Sequence, residues 1–317
     1  MNLNMKKIFL LYFLTIAMAV FSQVQTDTSY TAYSAYQKDV KKYPFIKIAV
    51  KPKSQQIQQL NDAVYKSING RQLHYDAFFK QSKKALPAII LIHGGGWKSG
   101  NKTQMHLLAQ QIALQGYACF CVGYRLSDEA KYPAGVFDIK SAIKYIKDNA
   151  SQYNADPNKV AVLGCSSGGQ MAALVGTTNG NVSFEDQDAS KQNANVQAII
   201  DMDGILAFHH PESEEAKAAG LWLNGSYEEN PEAWQQASAL THTGKNTPPI
   251  LFINSNKPRF HAGRDDMIAI LDEYKIYSQV KTFDDAPHSF WFYDPWFDDI
   301  VNYSVTFLDK VFNYNKK

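Results

Sequence analysis

The chain is poor in the features that mark several protein classes. Of its 317 residues only three are cysteines, Cys119, Cys121 and Cys165. An odd count at these spacings is no disulfide framework. Cys119 and Cys121 alternate along an apparent strand, so they share a face and read as small packing residues. There is no CxxC, no HExxH and no other metal-ligand spacing; His209 and His210 are adjacent, so their side chains diverge. Nothing calls for a metal or a cofactor. Lys and Arg number 32 against 30 Asp and Glu, and the basic residues are scattered, which leaves no footprint for nucleic acid. No internal repeat is present. Beyond the first residues, no apolar run is long enough to cross a bilayer.

The first residues read as a signal peptide. MNLNMKK supplies a basic start, IFLLYFLTIAMAVF an apolar stretch, and AVFSQ small residues for cleavage after Ser22. The run falls short of the ~20 residues a membrane anchor needs, and no Cys follows it to take a lipid. The expectation is a secreted or periplasmic protein with no membrane association after cleavage. Residues 23–60 are polar, with Pro44 and Pro52, and read as an arm or linker. Residues 61–317 then form one domain; single α/β domains commonly reach ~250 residues.

The pattern of that domain is strand, helix, strand, helix. Two alternating runs around Asn69-Gly70 predict a hairpin. ALPAIILIH, YACFCVGY, KVAVLG, VQAIIDMDG and PPILFIN are continuous apolar runs, as expected of strands covered on both faces. Residues 103–115, 135–152 and 264–275 carry helical spacing, and KTFDDA closes the strand series. This predicts a mainly parallel sheet with helices on both sides. Residues 204–247 break the alternation and read as a helical insertion over the strand ends, where such folds place ligands.

LGCSSGGQ, residues 163–170, holds two serines between a strand and a helix. The G-x-S-x-G elbow fits only as Gly164-Cys165-Ser166-Ser167-Gly168, because the shifted register would need glycine at 165. That selects Ser166 as nucleophile. The serine sits on a turn too tight for flanking side chains, and the helix after it aims amide N–H groups at a developing oxyanion. After another strand, His93-Gly94-Gly95-Gly96-Trp97 offers close backbone approach and further donors. The expected oxyanion hole is the amides of Gly95, Gly96 and Ser167. A serine needs a base, and the base an orienting acid, in chain order Ser, acid, His. His288, in PHSFW after the last strand, is the base. The acid is expected in HAGRDDM as Asp265, with Asp266 the alternative; Asp284 and Asp285 lie too close to His288. Trp97, Trp222, Trp291 and Trp296 lie near these loops or in the insertion, and Trp97 and Trp291 are the candidate substrate contacts. Arg259 and Arg264 could meet an acidic sugar, or form salt bridges.

HGGGW, YRLS (124–127), YPAGVFDIKSAIKYI and DPNKVAVLGCSSGG resemble the α/β-hydrolases, and among them the hormone-sensitive-lipase-like esterases and the bacterial feruloyl and acetyl-xylan esterases. FINSNKPRFHAGRDDM and APHSFWFYDPWF are similar to secreted carbohydrate esterases. Cys165 and Ser167 stand where the lipase-like group commonly has an acidic residue and alanine. The resemblance implies an α/β-hydrolase fold over residue 62 to the C-terminus. It also implies a Ser-His-Asp acyl-enzyme mechanism without cofactor, acting on an acetyl or feruloyl ester of a polysaccharide or oligosaccharide. The competing expectations are a short-chain carboxylesterase without sugar preference and a non-catalytic binding protein on the same fold. Oligomeric state is not legible.

Overall fold

The structure is a computed structural model that describes residues 26–186 and 190–314. The expected signal peptide lies outside the described residues. Residues 26–57 carry a helix, α1 (Ala32–Asp39), and a two-residue strand, β1 (Lys47–Ile48). Thr31 caps α1 in a reciprocal capping box with Ser34. The hairpin follows as β2 (Gln58–Ile68) and β3 (Arg71–Phe79), turning at Asn69-Gly70, both at positive φ. This is the geometry that Asn-Gly supplies at least cost.

The alternating core comes next. It runs β4 (Leu86–Ile92), α2 (His106–Leu114), β5 (Ala118–Val122), α3 (Ala134–Asp148), β6 (Ala155–Cys165), α4 (Ser167–Thr177) and β7 (Ala198–Met202). The insertion contributes α5 (Ala216–Leu223) and α6 (Pro231–Ala237). The chain then gives β8 (Ile250–Ser255), α7 (Arg264–Glu273), β9 (Ser278–Phe283), the short β10 (Tyr293–Asp294) and α8 (Phe297–Phe312).

Eight strands form one sheet in the order β2-β3-β5-β4-β6-β7-β8-β9. The joints β2–β3 and β3–β5 are antiparallel; all others are parallel. Strands β4, β5, β7 and β8 and the second half of β6 are buried throughout because helices cover both faces. Along β4, Ala88, Ile90 and Ile92 enter one core with α3, α4 and the insertion. Ile89 and Leu91 enter the other with α2, α8 and the arm. Burial on this scale is the main stabilising term, roughly 25 cal/mol per Å² of apolar surface removed from water.

Strand order reverses direction at β4. The chain leaves β4 for β5 on one side, and returns to place β6 on the other. At such a switch point the loops after the two central strands part and leave a crevice at their carboxyl ends. Here those loops are HGGGW after β4 and the Ser166 turn after β6.

The arm lies on the body as a docked element. β1 pairs with β10, the Tyr293 hydroxyl donates to Asp39 at 3.0 Å, and Lys51 meets Asp298 at 2.7 Å. Tyr30 and Tyr36 pack their rings against Phe292 and Tyr293. It therefore does not behave as a linker. Among the described residues, no helix is long and apolar enough to cross a membrane.

Candidate active site

Ser166 occupies the turn between β6 and α4 with φ 55° and ψ −124°, a left-handed conformation that a non-glycine residue holds only under constraint. The constraint comes from its glycines. A Cβ at Gly164 would run into the Gly168 carbonyl, and one at Gly168 into the Ile92 and His93 carbonyls. The Ser166 amide donates to the Met202 carbonyl at 2.8 Å, tying the turn to β7. Cys165, beside it, points the other way into the α2–α8 core and is fully buried.

His288 follows β9 in the chain. Its Nε2 lies 2.8 Å from the Ser166 Oγ, and its Nδ1 lies 3.0 Å from Asp203 Oδ2. The ring is stacked on Phe260 at 3.6 Å, with Trp291 edge-on at 5.2 Å. Two aromatic contacts and two polar partners leave the imidazole little freedom.

The acid is a correction to the sequence expectation. Asp265 and Asp266 lie in the first turn of α7 and are exposed. Asp265 pairs with Arg264 at 2.8 Å, and that bond lowers its carboxyl below the usual range. Asp266 meets His210 at 3.0 Å. The structure brings neither to His288. It brings Asp203, in the turn that ends β7, with φ 49° and a fully buried side chain.

Asp203 is tightly held. Oδ1 accepts from the Ser255 amide at 2.8 Å, and Oδ2 from the Ser255 hydroxyl at 2.6 Å. The Asn254 amide approaches Oδ1 to 3.5 Å, and Arg264 donates to the other side of Asn254 at 3.0 Å. Below the turn, Asp201 is fully buried and accepts from the Gly204 amide at 2.9 Å. Burial, reinforced by the Asp203 charge, pushes the Asp201 carboxyl well above the usual range. A Cβ at Gly169 or Gly204 would strike the Asp201 carboxyl.

The HGGGW loop closes the other side. Gly95 and Gly96 have φ of 131° and 60°, and a Cβ at Gly95 would strike the Ser99 carbonyl. A Cβ at Gly94 would stand 2.7 Å from the Cys165 carbonyl, so this loop lies directly against the elbow. Gly95, Gly96, Trp97, Ser166, Ser167, Asp203 and His288 all line one cleft of about 550 Å³. His93 is not part of it. It is buried, stacked on Tyr124 at 4.4 Å, and burial pulls its pKa down to about 4, so it is a neutral packing residue.

The tryptophans are mostly interior. Trp97 lines the cleft but is nearly buried: it stacks on Trp222 at 5.1 Å and donates to Gln170 at 2.9 Å. Gln170 in turn donates to the Ala237 carbonyl, fastening the insertion to α4. Trp291 packs against the back of His288 and lines a different cavity, with Thr31, Val50 and Phe297. It is not a wall of the cleft, contrary to expectation. Trp222 and Trp296 are also buried. Arg259 and Arg264 form the salt bridges named as their alternative. Among the described residues, no group of His, Cys, Asp and Glu is arranged to hold a metal ion.

Residues 76–261 match the family described as BD-FAE, which is more than half of the chain. The chain belongs to the BD-FAE family. The matched span holds Ser166 and Asp203; His288 and the arm lie outside it. This BD-FAE chain is 26% identical over 193 residues to the esterase LipC of Mycobacterium tuberculosis, covering 59% of this chain and 46% of LipC. It thus spans about half the length of the curated relatives it matches. Among solved structures it is similar to a truncated carbohydrate esterase from gut microbiota, at 21% identity and TM-score 0.62, covering 79% of this chain and 96% of that one. A butyrate-bound thermophilic esterase of Thermogutta terrifontis superposes with TM-score 0.68 at 18% identity, over 86% of this chain and 100% of that one. The fold is that of an α/β-hydrolase.

Sequence reasoning missed Asp203, Ser255 and Tyr30. Asp203 did carry a signal: an Asp-Gly step at the end of a buried strand, between Ser166 and His288 in chain order. Tyr30 lines the cleft from the arm and shares a hydrogen bond of 3.1 Å with Ser289, the neighbour of His288.

Proposed function

We propose that this protein is a serine esterase whose triad is Ser166, His288 and Asp203. The observation that carries this is the unbroken chain of hydrogen bonds from the Ser166 Oγ through His288 to a buried Asp203, on the floor of an open cleft. In the reaction, His288 Nε2 takes the hydroxyl proton as Ser166 Oγ attacks the ester carbonyl. Asp203 accepts from Nδ1–H, fixing the tautomer and stabilising the imidazolium. The amides of Gly95, Gly96 and Ser167 donate to the oxyanion. Removing one such donor typically costs roughly 3 kcal/mol of barrier. The tetrahedral intermediate collapses, the C–O bond to the alcohol breaks, and His288 protonates the leaving alkoxide. Water then repeats the sequence, releasing the acid and restoring Ser166.

The substrate we infer is an acetyl or feruloyl ester on a polysaccharide or oligosaccharide. What supports it is the likeness to a carbohydrate esterase from gut microbiota, beside a cleft of about 550 Å³ that holds Ser166. We infer from the amino-terminal pattern a secreted or periplasmic enzyme, with cleavage after Ser22. A second reading, a short-chain carboxylesterase without sugar preference, is favoured by the burial of the tryptophans and by the butyrate-bound neighbour.

Release of acetate and ferulate from acetylated xylan and feruloylated arabinoxylan, with Ser166→Ala as control, tests the first reading. A nitrophenyl ester chain-length series tests the second. Efficient cleavage of butyrate to hexanoate esters with no release from either polysaccharide sinks the carbohydrate reading.

A further inference from the structure

Among the described residues, the arm supplies the one charge in the cleft lining that no opposite charge engages. Besides the triad acid, the charged side chains that line the cleft are Lys38, Glu215 and Arg259. Arg259 donates to Glu214 at 2.7 Å and to Glu215 at 3.0 Å, with its guanidinium 4.5 Å over the Phe260 ring. Those three charges are engaged with one another. Asp203 is engaged by His288 and Ser255. Lys38 is exposed, and its ammonium pairs with no carboxylate among the described residues.

The arm that carries Lys38 is fastened at both sides of the site. The Gly100 amide donates to the Asp27 carbonyl at 2.8 Å, the Tyr30 amide to Ser99 Oγ at 3.0 Å, and Gln104 Nε2 to the Tyr30 carbonyl at 2.8 Å. These bonds bind the arm to the end of the HGGGW loop. On the other side Tyr30 meets Ser289, and Asp39 is held by Tyr293. Lys38 therefore stands on a short, capped helix pinned at two points, and little backbone entropy is lost when it engages a ligand. The whole element lies outside the span shared with the family. A strap outside the shared frame that reaches the cleft is placed to distinguish substrates without disturbing the chemistry.

We propose that Lys38 recognises a carboxylate on the substrate, away from the scissile ester, and so directs the enzyme to acidic esters such as an acylated sugar next to a uronate. The proposal rests on the esterase reading of the cleft, and not on the carbohydrate reading. Because Lys38 is solvated, the preference is modest and salt-sensitive, about three- to fivefold, as exposed ion pairs are.

The test is kcat/KM for two pairs of esters, at low and at high salt. One pair is 4-acetoxybenzoate and its neutral methyl ester. The other is acetylated xylo-oligosaccharide with and without a glucuronate branch. The quantity read is the ratio of anionic to neutral substrate. In Lys38→Ala this ratio falls about three- to fivefold, in Lys38→Glu it falls further, and high salt removes the wild-type preference. A ratio unmoved by both variants in either pair overturns the proposal while leaving the esterase intact. Wild-type protein that cleaves none of the four esters overturns the esterase reading and this proposal together. Cleavage of the aryl pair alone overturns only the carbohydrate reading, and the aryl ratio then decides on Lys38.

Discussion

The floor and the arm-side wall of the cleft are built on opposite principles. The floor is backbone: two turns at the ends of β6 and β7, a glycine loop after β4, and side chains locked by several partners each. At Gly164 and Gly168 a single added carbon meets a carbonyl. The arm is joined to the body by side-chain hydrogen bonds and ring contacts between residues far apart in the chain, beside the β1–β10 pairing and the Gly100–Asp27 bond. Its helix carries exposed Tyr33 and Lys38. The floor cannot change without losing the reaction, whereas the wall can change and alter what is accepted.

This contrast is tested most severely at the floor. Ser166→Ala should lower kcat by about 10⁶-fold while leaving the thermal transition in place, as removal of a triad nucleophile does elsewhere. Next in size, Asp203→Asn should lower kcat by about 10⁴-fold by favouring the wrong imidazole tautomer. Asp265→Asn should stay within about twofold, as an exposed substitution does. If the two aspartates exchanged these outcomes in steady-state assays, the assignment of the acid would be reversed.

Acid should then weaken the frame. Buried His93, pulled down to about 4, stays neutral in the fold, whereas the unfolded chain binds its proton below about 6.5. The unfolded state thus gains protons first, and stability falls as pH drops from about 6.5 to 4. One such group loses about 3 kcal/mol across that window. Urea midpoints at pH 7, 5.5 and 4.5 measure this, and His93→Gln should flatten the slope. Asp76 acts lower. Burial would raise its carboxyl, but hydrogen bonds from His106 and Lys102 override that and bring it to about 2. Its stabilisation is present above the ordinary carboxylate range and is lost as pH falls from about 4 to 2.

A small effect belongs to the arm. Tyr30→Phe removes the bond to Ser289 and should change kcat/KM by only about two- to fivefold, a typical net value for one partly exposed hydrogen bond. A loss comparable with Asp203→Asn would mean that the arm is part of the floor after all.

What the sequence disclosed follows the same division. The Ser166 register was legible because its requirement is local: glycines two residues either side, a buried strand before, a helix after. His288 was legible by position in the chain. Asp203 was not, because its credentials are tertiary. What distinguishes it from Asp265 is the neighbouring end of β8, where Ser255 waits 52 residues away. Asp265 has a similar local setting, but it sits on the outside of a helix. Of the candidate substrate contacts, Trp291 packs behind His288 outside the cleft, whereas Trp97 does line the cleft, nearly buried by Trp222 and Gln170. Residues 23–60 read from sequence only as an arm or linker because their partners, Ser99 and Ser289, are far off in the chain.

Cys165 sits one residue from the nucleophile, yet strand alternation sends it to the far side of the sheet. Burial raises its thiol well above the usual range, as it does for Cys119 and Cys121. All three thiols are therefore closed to maleimides and iodoacetamide while the chain is folded, although the adjacent hydroxyl is open to a phosphonylating reagent. Thiol capture then becomes a clock for opening of the sheet, independent of catalysis. One sample can report two things at once: serine modification counts working sites, and cysteine modification counts molecules that have come apart.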